Sequence, residues 1–108
     1  MSLDISLYCK CCGTEFYDLN ITHNLNRMAD EAGIYLAMWR PEEINAEIAK
    51  DIILYLKKGI TKLKNNPEIF KKLNPINGWS SYETLLLDSK EYFRDCCQNP
   101  NAIIKAHR

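Results

Sequence analysis

The sequence predicts an α+β fold in which four or five helices pack on a small antiparallel sheet formed by the N- and C-terminal segments. The first residues alternate between apolar and polar side chains, which is typical of a half-buried strand. Apolar residues then recur at helical spacing through the middle of the chain. A short apolar segment, residues 102–106, needs a strand partner, which the first strand can provide. The 108 residues are expected to form a single domain, 1–108, with one modest core.

The first strand is predicted from period-two alternation and the second from β-prone composition. The apolar side of the first strand consists of Leu3, Ile5, Leu7 and Cys9. Residues 14–18 form the second strand, so that a hairpin turns through Cys12 and Gly13.

Two helices are predicted to follow the hairpin. Thr22 can cap the first helix, and Gly33 stands where a left-handed helix end belongs. Residues 34–39 are apolar all round, so they form a short buried second helix that ends before Pro41. Their large side chains, Trp39 among them, are assigned to the core.

The central helix is predicted over residues 46–64, preceded by a helical turn at Pro41, Glu42 and Glu43. Its acidic residues come early and its lysines late, as the helix dipole favours. The predicted core face consists of Ile48, Ala49, Ile52, Ile53, Leu56, Ile60 and Leu63. A short helix opens at Pro67.

The last helix is predicted to begin with a capping box formed by Ser80 and Glu83, after a turn at Asn77–Gly78. Its core face consists of Tyr82, Leu85, Leu86, Ser89, Tyr92, Phe93 and Cys96. We expect this face to pack on the central helix. The terminal strand then runs antiparallel to the first strand, with residue 101 beside residue 9.

Charge and composition narrow the function classes. Fourteen basic and fourteen acidic residues cancel, so no long-range field attracts nucleic acid or an anionic membrane. The lysines near residues 57–72 are explained as a solvated helix end. No secretory signal or membrane span is predicted, so a cytoplasmic location is expected, in which five cysteines do not make a disulfide framework.

Three segments carry a resemblance to known proteins. Asn-Ile-Thr-His-Asn-Leu at 20–25, Ala-Gly-Ile-Tyr at 32–35 and Trp-Arg-Pro-Glu-Glu at 39–43 resemble segments of small uncharacterised proteins of bacteria and phages. The resemblance covers most of the chain and implies a compact α+β domain of microbial origin. It implies no activity, cofactor or binding residue.

The cysteine cluster at residues 9–13 has the C-x-x-C-G spacing of a zinc knuckle, in which a tight turn directs two thiolates at one ion. Cys9 and Cys12 would supply half of such a site. The rest could come from Cys96 or Cys97, from His23 or from His107, and Cys96 and His23 are taken as the candidate ligands. The competing interpretation, which we favour, is a strand end in which Cys9 and Cys11 pack inward and no metal binds. A reactive thiol paired with His23 is a third interpretation.

The function expected from these patterns is a non-enzymatic protein-interaction module with no cofactor and an unidentified protein partner. It rests on a neutral charge, on the lack of a catalytic constellation, and on sheet edges that need cover. Association as a symmetric homodimer is expected if Trp39 or Trp79 is exposed beside such an edge. The alternatives are a small zinc-binding protein and a thiol-dependent enzyme.

Overall fold

The computed structural model describes residues 2–75 and 81–108 and confirms the predicted fold class. Three strands form one antiparallel sheet in the order β2-β1-β3: β1 (Ser2–Tyr8), β2 (Glu15–Thr22) and β3 (Ile103–His107). Five helices pack on it: α1 (Asn26–Ala32), α2 (Tyr35–Trp39), α3 (Lys50–Asn65), α4 (Pro67–Lys71) and α5 (Tyr82–Gln98). The sheet therefore comes from the two ends of the chain, as predicted.

The hairpin between β1 and β2 differs from the prediction in its bounds. β2 continues to Thr22 instead of ending at residue 18, because each of its residues from 17 to 22 finds a partner on β1. β1 ends at Tyr8, where the pairing register shifts. Cys9 therefore lies in the connecting loop, and the predicted placement of Cys9 on the strand is wrong.

β3 pairs with β1 in antiparallel register, from Asp4 opposite His107 to Tyr8 opposite Ile103. This confirms the predicted direction of the terminal strand. Continuing the register would place residue 102 opposite residue 9, so the predicted register is wrong by one residue.

The outer edge of β3 is covered by the chain segment that precedes α3. Ile104 donates its amide hydrogen to the Glu47 carbonyl at 3.0 Å, and Ala49 donates to the Ala102 carbonyl at 2.9 Å. Because residues 47–49 use their backbone groups in this way, α3 begins at Lys50 and not at residue 46 as predicted. The prediction was wrong there because tertiary pairing replaced the first helical turn.

Pro41–Ile44 form a separate 3₁₀ turn, with proline at its first position as predicted. Asn45 follows in the left-handed region at φ 57°, which breaks the path to α3. Glu42 and Glu43 therefore lie outside α3 and are not part of its first turn, at the positive end of the helix dipole. Glu42 instead forms an ion pair with Arg108 at 2.8 Å.

The helix ends that depend on local chemistry agree with the prediction. The Thr22 hydroxyl accepts the Asn24 amide hydrogen at 3.3 Å, although the first turn, His23–Leu25, is 3₁₀. Gly33 ends α1 at φ 83°. The predicted Ser80 capping box, the Asn77–Gly78 turn and Trp79 lie outside the described residues.

The core joins α3 and α5 to the inner face of the sheet. Ile52, Leu56 and Leu63 of α3 are fully buried, as are Leu85 and Tyr92 of α5. Leu86 and Phe93 are only partly buried, so the core face of α5 is narrower than predicted.

In the part of the chain that the structure describes, no helix combines the length and apolar character needed to cross a membrane.

α3 also makes a close approach to the link between α1 and α2. Gly59 is buried there, and a Cβ added to it would collide with Ile34 Cγ2.

Trp39 is 1% exposed, which confirms that it belongs to the core and removes it as an exposed dimer contact.

Candidate functional site

The β1–β2 loop holds three of the five cysteines in a tight reversal. The Cys9 amide donates to the Thr14 carbonyl at 2.7 Å, and the Gly13 amide donates to the Cys9 carbonyl at 2.9 Å. Gly13 adopts φ 73°, a left-handed conformation that glycine permits without strain. This geometry places Cys9 and Cys12 at the first and fourth positions of one turn.

The Cys12 thiol is the most perturbed group of the loop. Its sulfur lies 3.1 Å from Thr14 Oγ1. Hydrogen bonds from the Thr14 hydroxyl, the Thr14 amide and the Cys9 thiol stabilise the thiolate and lower the pKa of Cys12 to about 7. Because the side chain is exposed, this thiolate is open to reagents in solution.

The burial of the loop cysteines contradicts the predicted inward packing. Cys9 is half-buried, whereas Cys11 and Cys12 are exposed. Alternation along a strand would have hidden both Cys9 and Cys11, but the strand ends at Tyr8 and the alternation ends with it. The interpretation of this stretch as a strand end with packed sulfur is therefore wrong for Cys11.

Cys96 and His23, the other two predicted zinc ligands, lie in different parts of the fold, and each has its own packing or hydrogen bond. Cys96 is buried in α5, and burial, with added effects from Cys97 and Asp95, raises the pKa of its thiol to about 12. His23 Nδ1 accepts the indole hydrogen of Trp39 at 2.9 Å, so the other ring nitrogen carries the proton of the neutral ring. No sequence pattern predicted this bond.

The structure thus brings together two of the four predicted ligands, Cys9 and Cys12, within one turn that the backbone bond from Gly13 to Cys9 closes. Within residues 2–75 and 81–108, no three histidine, cysteine or acidic side chains are placed to hold one metal ion. Two thiolates alone do not complete the tetrahedral set that structural zinc takes.

A cleft of about 320 Å³ lies between the hairpin loop and the turn that follows α5. The loop contributes Cys9, Lys10 and Cys11, and β2 contributes Phe16, which is 44% exposed. The opposite wall is residues 98–102. The cleft therefore presents two sulfurs and an aromatic ring beside one cationic side chain.

A second unusual region is the acidic surface beside β2. Tyr17 of β2 stacks on Tyr92 of α5, with ring centroids 6.0 Å apart. Burial raises the pKa of Tyr17, and nearby carboxylates raise it further; these are Glu91, Asp88, Asp95 and Asp18. Burial and Glu91 also raise the pKa of Asp88 to about 6.

Sequence reasoning missed this acidic surface, although a signal was present. Asp88, Glu91 and Asp95 follow one another at intervals of three and four residues, so they share one face of a helix. The spacing does not say which strand that face meets. Only the packing of α5 against β2 brings these acids to Tyr17.

The two edges of the sheet are covered differently. Residues 47–49 pair with the C-terminal segment at the β3 edge. At the other edge, β2 pairs with β1 alone, and no other strand of the described chain lies beside it. Among the described residues, β2 is therefore the edge strand without a second strand partner.

Comparison of the chain with protein-family models, with curated proteins and with solved structures gives no match.

Proposed function

We propose that this chain is a non-enzymatic protein-interaction module that binds an extended, basic segment of a partner protein along the outer edge of β2. One observation carries the proposal. β2 has eight residues and, within residues 2–75 and 81–108, no strand partner on its outer side, whereas the opposite edge of the sheet is covered by residues 47–49. An uncovered edge offers a row of backbone donors and acceptors to an added strand.

The charges around β2 support a basic occupant. Five carboxylates lie on β2 or on the part of α5 that approaches it: Glu15, Asp18, Asp88, Glu91 and Asp95. The chain as a whole is neutral, so this is a local concentration of negative charge. Lysine or arginine side chains of an incoming strand would meet complementary charge, which favours encounter and register.

The same charges oppose pairing between two copies of the chain. A dimer through β2 would bring two sets of these carboxylates to one interface, and like charges across a strand pair are destabilising. A partner of opposite charge is therefore preferred to the homodimer expected from the sequence. The dimer is kept as one outcome of the test.

The test is titration of the isotope-labelled protein with a synthetic peptide, as long as β2, that alternates lysine with valine. We expect amide shifts along Glu15–Thr22 and binding that weakens with added salt. The control peptide alternates glutamate with valine and should not bind. Equal binding of the two peptides, or shifts elsewhere on the molecule, would remove the proposal.

Variants sharpen this experiment. Asp18→Asn and Glu91→Gln should each weaken binding of the lysine peptide by a few fold, the effect of one exposed charge pair. Asp30→Asn on α1 removes an exposed carboxylate that lies neither on β2 nor on α5, and it should leave binding unchanged. Sedimentation of the free protein that shows a dimer, lost on titration with the peptide, would instead assign the edge to a second copy.

The zinc-binding alternative is favoured by the turn that holds Cys9 and Cys12 three residues apart in one loop. It needs further ligands from outside this pair. Stoichiometric zinc in protein purified without chelator, reduced by Cys12→Ser but not by Cys97→Ser, would support it. Zinc content that is negligible or equal in both variants would exclude it.

A further inference from the structure

We propose that Cys9 and Cys12 form a reversible disulfide by exchange with a low-molecular-weight disulfide such as oxidised glutathione. This inference does not depend on the strand-edge proposal, because it rests on other residues. It makes the hairpin loop a site of thiol modification.

The first argument is the geometry of the turn. The Gly13 amide bonds the Cys9 carbonyl at 2.9 Å, so Cys9 and Cys12 stand three residues apart within one closed turn. A disulfide joins residues whose Cα atoms are about 4.4–6.8 Å apart, a separation that a single turn of the chain allows. We therefore expect the bond to close without rearrangement of the strands on either side.

The second argument is access. Cys12 is exposed and is not one of the residues that line the cleft, so a small disulfide reaches it from solvent. Cys9 lines the cleft together with Lys10 and Cys11, and the volume of about 320 Å³ gives room for part of the small peptide that Cys12 would carry. The Lys10 ammonium is placed to attract the carboxylates that glutathione carries.

The third argument separates Cys12 from its neighbour Cys11. Only Cys12 is bonded to the Thr14 hydroxyl, at 3.1 Å. The hydroxyl contact and the exposure of its side chain identify Cys12 as the attacking sulfur. Cys11 is exposed as well, and it provides a matched comparison within the same loop.

The exchange proceeds in two steps. The Cys12 thiolate attacks one sulfur of the small disulfide, which forms a mixed disulfide at Cys12 and releases one thiolate. Cys9 then loses its proton to water and attacks the Cys12 sulfur, which forms the Cys9–Cys12 bond and releases the second thiolate. Two protein thiols are oxidised and one small disulfide is reduced to two thiols, so the electrons balance.

The experiment treats the folded protein with oxidised glutathione, quenches with acid, alkylates the remaining thiols and maps the linked peptides by mass spectrometry. We expect a Cys9–Cys12 link in the wild-type chain, with Cys11 alkylated. The link should open again with excess reduced glutathione. This measurement needs no variant.

The Cys9→Ser variant should stop at the mixed disulfide on Cys12. That adduct should persist at least about tenfold longer than in the wild type, because the Cys9 thiol that displaces it is gone and Cys11, although adjacent, is not the resolving thiol in this proposal. Cys9→Ala is the second variant, and circular dichroism checks that each variant is folded. Cys11→Ser should behave as the wild type does.

Three results would overturn the inference. The first is a wild-type link that joins Cys11 to Cys9 or to Cys12. The second is glutathione adducts that persist in the wild type with no internal link. The third is equal adduct lifetime in the wild type and both Cys9 variants.

Discussion

The hairpin loop and the last turns of α5 each carry cysteines, and the two regions shift the pKa of a cysteine thiol in opposite directions. Hydrogen bonds in the exposed loop lower the pKa of Cys12 to about 7. Burial in the core, with Cys97 and Asp95 nearby, raises the pKa of Cys96 to about 12. The chemistry of a thiol in this protein is therefore set by its surroundings and not by its place in a cysteine-rich segment.

Hydrogen-bond donors on one side and burial on the other explain the contrast. In the loop, the Thr14 hydroxyl and then the Thr14 amide bond the Cys12 sulfur. Within α5, amide hydrogens are already used in helical bonds, so a thiolate at Cys96 would find neither water nor a backbone donor. An ionised Cys12 is thus stabilised, whereas an ionised Cys96 would be a buried charge without a partner.

The largest effect expected from this contrast is in alkylation rate. At about pH 7, roughly half of Cys12 and roughly one part in 10⁵ of Cys96 is thiolate. Iodoacetamide should therefore modify Cys12 at least about 10³-fold faster than Cys96 in the folded protein. Time-resolved peptide mapping measures both rates, and denaturant should remove the difference. Labelling of Cys96 within about tenfold of Cys12 would contradict the comparison.

The next effect is on stability. Cys96→Ser places a hydroxyl in a buried site and should cost about 1–3 kcal/mol of unfolding free energy. The matched change Cys12→Ser, in the exposed loop, should alter it by less than about 0.5 kcal/mol. Urea unfolding of the two variants gives both values. Equal destabilisation by the two changes would show that Cys96 and Cys12 do not differ in burial as described.

Two tyrosines of α5, Tyr92 and Tyr82, test whether water is excluded from the core near Cys96. The Tyr92 hydroxyl is buried with no hydrogen-bond partner among the described residues, so Tyr92→Phe should raise the unfolding free energy by up to about 1 kcal/mol. The Tyr82 hydroxyl donates to the Leu63 carbonyl at 2.6 Å, so Tyr82→Phe should lower it by about 1 kcal/mol. Thermal unfolding of both variants provides the measurement. A loss of stability in Tyr92→Phe equal to that in Tyr82→Phe would mean that the Tyr92 hydroxyl is satisfied.

The smallest expected effect concerns the hydrogen bond that Thr14 makes to Cys12. The bond favours the thiolate and lowers its pKa, so Thr14→Val should raise the pH midpoint of Cys12 alkylation by about half a unit to one unit. Thr14→Ser keeps the hydroxyl and should preserve the midpoint. The rate of iodoacetamide modification against pH measures both. An unchanged midpoint in Thr14→Val would assign the lowered pKa of Cys12 to the backbone.

Local chemistry along the chain predicted much of the fold. The Thr22 cap, the left-handed Gly33 and the proline at the start of α4 depend on neighbouring residues alone, and each occurs as predicted. Alternation also identified β1, since one face of that strand must be buried. These features follow from bonds and periodicities that span a few residues.

Long-range contacts decided the features that the sequence did not predict. Gly59 stands in the middle of an amphipathic helix, and the residues beside it in the sequence do not indicate that α3 contacts Ile34 at this point. The covered β3 edge and the late start of α3 both depend on bonds between residues 47–49 and the C-terminal segment, which lie more than fifty positions apart.

The candidate site shows the same division. The sequence by itself determined that the chain reverses at Cys12 and Gly13, and its C-x-x-C-G spacing offered a shared turn for Cys9 and Cys12 only in the zinc-knuckle interpretation, since the favoured interpretation kept Cys9 on the strand. Tertiary structure alone decided that Cys96 is buried in α5, that His23 accepts the hydrogen of Trp39, and that no described side chain joins the pair as a metal ligand. The physical reason is that a turn depends on a few adjacent residues, whereas burial and partner choice depend on how distant helices and strands pack.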